Sequence, residues 1–511
     1  MKKFAFFVFI NLFTLISFDA HSETLLFLSD LEGNIGKWDA FIKTSGCFMG
    51  SSPPINVKQS GYQNVQNLMR TRPFTLNPGC RFFYLGDVVD KGEGSIRILR
   101  DLVYLKTSNP GGVFLTPGNR ELNKLRWLQE ISPNGEIDVN NFYRFTQSKI
   151  SPGLANNLKE LNENYFGKSF GAPMAMEFRS AELGLGNLKN SNYSEWSKKI
   201  LTSLRQDVES FDDLPNSGPS KGLILRYLQL SQMLIRYNDM ILSHGFIGSD
   251  NFGRVPKIGA RSVYGVESDT MSIKGPGDFQ QWNLKLNEFL TAMLKTLISK
   301  NYSEKVDEKT RYLGEELILY QEPTLKIRPG RPNDFNQESV VLGRNSNADD
   351  FGNAFNLSLG NEGVLSETLN SIGIKIRIAG HTPVGQNPLI QKIINKKKPN
   401  DPPTWSINID ASAEHTKMPK ITTLFKLIDN NTFYAKSFVT IGGSTGYSKI
   451  METSFKKDGK DGSRIGETVI CQNKAYTVVG EFKKGTYLLY RSEAGFATNN
   501  MESNLNNCTT N

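Results

Sequence analysis

Five short apolar runs, each stopping at a polar turn that carries a glycine, constrain the fold of this chain more than any other feature. They read LLFL before SDLEGN, FFYL before GDVVDKG, GVFL before TPGNRE, MIL before SHG, and, with Lys375 and Arg377 interleaved, IKIRIA before GHTP. Short apolar runs bounded by turn signals predict buried strands. Between the first three lie amphipathic stretches, NIGKWDAFIKT and a segment with Ile96, Leu99 and Val103 on one helical face. Strands alternating with helices predict a layered α/β core. In such sheets ligands bind beyond the carboxyl ends of the strands, which is where these glycine turns lie.

The chain opens with Lys2 and Lys3, an apolar stretch from Phe4 to Phe18, and the small-residue pattern Ala20-His21-Ser22. That order predicts a secretory signal peptide over 1–22, with Glu23 as the new terminus. No later apolar run reaches the ~20 residues a membrane span needs, so the mature protein is expected to be secreted or periplasmic, without a stable span. An oxidising compartment would permit two disulfides among Cys47, Cys80, Cys471 and Cys508, and the three pairings stay open.

The core is expected in two pieces, 23–130 and 239–425, separated by a helical insertion over 131–238 and followed by a β-rich segment and tail over 426–511. In the insertion, Trp196, Ile200, Leu204 and Val208 fall on one helical stripe and predict core packing. Residues 325 to 365, rich in Asn, Gly, Asp and Pro, predict a long loop or lid, and the last Asn-rich residues a loose tail. The net charge of +9 falls to +8 without the leader and suits anionic substrates. The one dense basic run, Lys396-Lys397-Lys398 beside prolines, reads as a solvated loop, so no nucleic-acid partner is expected.

The turns supply chemistry in a fixed order: Asp30 and Glu32, then Asp87 and Asp90, then Asn119, then His244, then His381. One edge of the sheet would gather carboxylates, an amide oxygen and two imidazoles, a donor set suited to divalent Mn, Fe or Zn. Of four histidines, His21 leaves with the leader, so two of the remaining three occupy these turns. His415, just past a core strand, is expected at the surface.

This series resembles the calcineurin-like metallophosphoesterase superfamily, and in detail its phosphoprotein phosphatase branch, marked by GDxHG, GDxxDRG and GNHE and then two histidines. GDVVDKG and GHTP match closely, whereas SDLEGN and GNRE depart from the pattern. The resemblance implies a β-sandwich flanked by helices and two divalent metal ions, Mn first and Fe, Mg or Zn as the other choices. It implies that Asp30 binds the first ion, Asp87 bridges both, and Asn119, His244 and His381 hold the second. Asp90, Lys91, Arg120 and Glu121 complete the implied catalytic set.

Glu32 stands where the family has histidine. A carboxylate there would ligate the first ion and harden the site; alternatively it caps the helix that follows. Arg120 replaces the histidine thought to protonate the leaving oxygen, which a permanently charged guanidinium does not do. With Lys91 it is expected to bind the phosphate instead. Without a general acid the best substrates are those with good leaving groups, so phosphotyrosine or aryl phosphates are expected over phosphoserine. The partner is then a phosphorylated protein or a small phosphoester. Two rivals stay open: a nucleotide phosphohydrolase that stacks a base on Phe433, Tyr434, Tyr476, Tyr487 or Tyr490, and an inactive protein that binds phosphate through Arg120 and Lys91.

Overall fold

The computed structural model describes residues 23–50, 75–138, 158–185, 193–209, 222–262, 265–298, 314–321, 338–343, 359–382, 388–393, 403–410, 421–440, 447–471, 474–483, 486–493, 497–503 and 505–510. The leader, the lysine run and His415 lie outside them. Among the described residues no helix is long and apolar enough to cross a membrane.

The first three apolar runs become β1 (Thr24–Leu28), β2 (Cys80–Tyr84) and β3 (Val113–Leu115). There follow β4 (Ile235–Tyr237), β5 (Met240–Leu242), β6 (Ile376–Ala379), β7 (Leu389–Ile393), β8 (Thr404–Asn408), β9 (Ile421–Ile428), β10 (Thr432–Thr440) and β11 (Tyr447–Lys456). One sheet has the order β11-β10-β9-β1-β2-β3 and a second the order β7-β8-β6-β5-β4. The chain is a mixed α/β structure, as expected from the strand and helix pattern.

Alternation along each strand explains why the apolar runs are unbroken. Leu25, Phe27 and Phe83 enter one buried cluster with Leu242, Ile376, Ile378 and Trp405 from the second sheet. Their neighbours Leu26, Leu28, Phe82 and Tyr84 enter another with helical residues. A strand buried on both faces has no polar face to show. Phe27 stacks on Phe83 at 5.2 Å and Phe83 on Phe114 at 4.7 Å, and each such ring contributes roughly 1.5–3 kcal/mol by leaving water.

On the outer face, α1 (Ile35–Ser45) begins at Asn34, whose side chain accepts from Lys37 N, and ends at Gly46 with φ 71°. Asn34, not Glu32, therefore caps this helix. Next to it lies α2 (Ser95–Ser108), with Ile96, Leu99 and Val103 buried as its periodicity predicts. The short α3 (Asn119–Lys124) starts in the GNRE turn. From the insertion come a π-helix over Leu161–Ser169, α4 (Ala175–Leu183) and α5 (Tyr193–Gln206). The stripe Trp196, Ile200, Leu204 and Val208 is buried, as expected.

Two boundaries differ from the sequence reading, and the described end of one expected loop is helical. β4 pairs with β5, so the last residues assigned to the insertion belong to the second sheet. The hairpin β9–β10 spans position 425/426 and pairs on into β1, so the first sheet continues into the C-terminal segment. Within the stretch read as a lid, Val340, Val341 and Leu342 are buried and Leu359–Ser371 is helical; its other described residues are few.

The C-terminal residues are also ordered into structure. A third sheet joins Thr468–Cys471, Lys474–Lys483, Thr486–Glu493, Ala497–Ser503 and Cys508–Thr510. ATNNMES lacks an apolar face and gives no strand signal; it pairs with Thr486–Glu493 at one edge of the sheet, while the disulfide Cys471–Cys508 ties the strand at the other edge. The other disulfide is Cys47–Cys80. Phe433 and Tyr476 are buried in the inter-sheet cluster, which leaves neither open to a base; Tyr434 is half-buried and donates its hydroxyl to Glu452.

Candidate metal centre

Parallel register brings the turns together. Leu28 lies opposite Tyr84, and Tyr84 opposite Leu115, so β1, β2 and β3 end at one level. In the second sheet Ile378 lies opposite Leu242 and Ala379 opposite Asn408. The backbone then stitches the turns: Asp30 N donates to Gly86 O at 3.0 Å, Glu32 N to Asp87 O at 2.9 Å, and Lys91 N to Glu32 O at 2.6 Å. Gly380 N donates to His244 O at 2.9 Å in the second sheet.

This crowding forces unusual backbone. Asp30, Glu32, Asp87, Asp90 and His381 have φ of 52°, 48°, 56°, 111° and 68°. Residues with side chains avoid that region at a cost of about 1–3 kcal/mol each, and such strain gathers at functional sites. At Gly86 (φ 84°) a Cβ would come within 2.6 Å of Gly118 Cα, so only glycine permits the second and third turns to touch.

Asp87, His244 and His381 place ligand atoms within 4.8 Å of one another. Asn119 Oδ1 lies 3.0 Å from His244 Nε2 and 3.0 Å from His381 Nδ1. His244 Nδ1 is 2.6 Å from the carbonyl of Leu85, an acceptor only, so Nδ1 carries the proton. In the neutral ring the Nε2 lone pair then faces Asn119 Oδ1 and, at 3.3 Å, Asp87 Oδ1. Lone pairs converging from a carboxylate, an amide and imidazole fit a divalent cation, and the Leu85 bond fixes the ring for that role.

The remaining acids and bases form a second cluster. Arg120 Nε is 2.8 Å from Glu32 Oε1 and 3.3 Å from Asp87 Oδ2. The Glu32 contact is one of charge, because the N–H direction is not aligned for a hydrogen bond. Arg120 Nη1 donates to Asp90 Oδ2 at 3.1 Å and to the carbonyl of Phe170 at 3.3 Å. Burial works against its charge, but Glu32, Asp87 and Asp90 outweigh it and hold the guanidinium protonated above its usual range. Lys91 Nζ is 2.9 Å from Glu32 Oε1, with a side chain 44% exposed against 13% for Arg120. Burial would raise the Glu32 carboxyl, yet Arg120 and Lys91 bring it below its usual range.

Asp30 is buried, and its Oδ2 accepts from Ser29 Oγ and from His381 N at 3.1 Å. Burial, then Asp410 and Asp87, push its carboxyl well up. Glu121 accepts from Gly118 N at 3.0 Å, Asp87 N at 3.0 Å and Val88 N at 2.7 Å, beneath the turns. Burial and then Asp87 raise it to about 7 against those bonds.

Three groups went unread in the sequence. Asp410 follows β8 in WSINID, the same strand-then-carboxylate pattern as LLFLSD, and that repetition was the available signal. Lys37, in the first turn of α1, interacts with Asp410, Glu32 and Asp30. Lys124, fully buried, pairs with Asp90 beneath the rings of Trp127 and Phe170 at 5.4 and 4.9 Å. Burial lowers its ammonium, and Asp90 partly restores it.

No family model matches the chain, and no curated protein matches it. Solved structures similar to it include a cold-active protein-tyrosine phosphatase of a psychrophile, Shewanella sp., 11% identical over 84% of this chain and 80% of that one, with a TM-score of 0.35. A protein serine/threonine phosphatase from Saccharomyces cerevisiae is 12% identical over 83% and 82%, with a TM-score of 0.27. A metallophosphoesterase from Sphaerobacter thermophilus is 10% identical over 80% and 85%, with a TM-score of 0.25. At these values the donor atoms of the centre, and not the likeness, indicate its chemistry.

Proposed function

We propose that the protein is a metal-dependent phosphomonoesterase that acts on a phosphorylated protein or a small phosphoester and prefers aryl phosphates, phosphotyrosine among them. One observation carries this: Asp87, Asn119, His244 and His381 converge their donor atoms beside a cationic wall of Arg120 and Lys91. A divalent ion held there supplies Lewis-acid stabilisation of phosphoryl oxygens and lowers the pKa of a bound water. Lys91, the more open of the two cations, offers its ammonium to an arriving phosphate. Arg120 adds fixed positive charge close by without yielding a proton.

Leaving-group choice follows from what can donate a proton. Of the three histidines beyond residue 22, His244 and His381 are ligand candidates and His415 lies outside the described residues. With Arg120 where the family has a proton-donating histidine, loss of general-acid help at that position costs a factor of about 10²–10⁴, least where the leaving group needs no proton. A phenol, with a pKa of about 10, leaves as an anion far more easily than a serine alkoxide. The two disulfides support a secreted or periplasmic setting.

The test is phosphate release from para-nitrophenyl phosphate after chelation, with Mn, Fe, Mg or Zn restored singly. Matched phosphotyrosine and phosphoserine peptides follow, with turnover expected to favour phosphotyrosine by about 10²-fold or more. Asp87→Asn is expected to abolish the metal-dependent part. Equal or better turnover of phosphoserine would sink the aryl preference; no release with any metal would sink the enzyme.

A further inference from the structure

We infer that the centre holds one divalent ion, and that the Arg120 guanidinium occupies the place where a two-ion centre would hold the other. The inference rests on the metal site proposed above but not on turnover. Its basis is the way Asp87, the residue expected to bridge two ions, divides its oxygens. Oδ1 faces His244 Nε2 at 3.3 Å, on the side of Asn119 and His381; Oδ2 faces Arg120 Nε at 3.3 Å. Oδ1 thus faces the imidazole cluster, while also accepting from Arg120 N at 3.0 Å, and Oδ2 faces the guanidinium.

Of the other two carboxylates expected around a first ion, Glu32 is met by two cations and Asp30 accepts hydrogen bonds through Oδ2. Glu32 Oε1 lies between Arg120 Nε and Lys91 Nζ, at 2.8 and 2.9 Å. Asp30 Oδ2 accepts from Ser29 Oγ and His381 N. Arg120 is further held by Asp90 and by the carbonyl of Phe170, the residue after the π-helix. A planar cation gripped on several sides by oxygens is positioned by the fold and does not depend on substrate for its geometry. Both departures from the family pattern, Glu32 and Arg120, then have a single explanation. An arginine replaces an ion, and a carboxylate replaces the imidazole that would have been its ligand, because a guanidinium is met by a carboxylate and repelled by a protonated imidazole.

Counting ions decides this without any assay of activity. The full mature chain is freed of metal, dialysed against Mn(II), and analysed for Mn per chain and by low-temperature electron paramagnetic resonance. One Mn per chain with the six-line signal of an isolated ion is expected. Two per chain, or an exchange-coupled signal, overturns the inference. No bound ion overturns it together with the phosphatase reading, whereas one ion without phosphate release upholds the count and removes only the phosphatase. The double variant Glu32→His with Arg120→His, checked for folding by circular dichroism, is expected to bind a second ion. A folded double variant that still takes one contradicts the role given to the guanidinium; if it does not fold, the count on the unmodified chain still decides.

Discussion

Glu121 is fully buried and accepts hydrogen bonds from the backbone of Asp87, Val88 and Gly118, so one carboxylate joins the turn after β2 to the turn that opens α3. Its place beneath the turns makes it a positioning residue for Asp87 and Asn119. Glu121→Gln keeps one acceptor oxygen but sets an amide N–H₂ against backbone N–H groups. Manganese affinity is expected to fall about 10- to 100-fold, as for other groups that orient ligands, with the fold retained. Calorimetric titration with Mn checks it, and unchanged affinity contradicts the role. At this scale the sequence named Asp87, Asn119, His244 and His381, which the structure brings together, because each follows an apolar strand with a glycine at hand. The partners of Glu32 and the pairing of Lys124 with Asp90 depend on side-chain direction across distant turns, and no local pattern encodes that.

Among the elements, α2 depends on the insertion. Gly94 offers no side chain to its first turn, and Glu182 at the end of α4 reaches across to accept from Ile96 N at 2.8 Å. Arg179 binds the same carboxylate at 3.1 Å and also pairs with Asp207 beyond α5. Burial raises the Glu182 carboxyl to about 7, with Arg179 and the Ile96 bond opposing. In the unfolded chain it ionises near 4.5. Between those values the folded state holds more protons than the unfolded one, so this group's contribution is full below about 4.5 and is lost as pH rises towards 7. Glu182→Gln keeps an acceptor for Ile96 but cannot ionise. Urea unfolding in chelator from pH 4.5 to 7 is expected to show a shallower decline with rising pH in the variant; parallel curves contradict it. The helical stripe on α5 was legible from its 3.6-residue period, while Glu182 as a cap in trans was not, since capping signals are read within a few residues of the helix they serve.

In the whole molecule the candidate metal centre lies where turns of two sheets meet, and the third sheet joins the inter-sheet core through Val469, Val478 and Leu489, with Cys471–Cys508 closing the C-terminal part. Removing that disulfide by Cys471→Ser with Cys508→Ser frees a loop spanning 37 residues and is expected to cost about 4 kcal/mol of stability. The Mn content is expected to stay unchanged. Loss of the ion in a still-folded variant would show that the third sheet shapes the centre. The layered core was legible because β1, β3 and β5 are apolar on both faces and end in glycine turns; the edge strand Ala497–Ser503 was not, because its polar sequence gives no local signal of its pairing with Thr486–Glu493. The most direct test of a single-ion phosphatase is phosphate release from para-nitrophenyl phosphate as Mn is added stepwise to the metal-free protein. Release that rises in proportion to bound Mn and levels off at one ion per chain is the result predicted; no release at any loading, or release that appears only as a second ion binds, contradicts it.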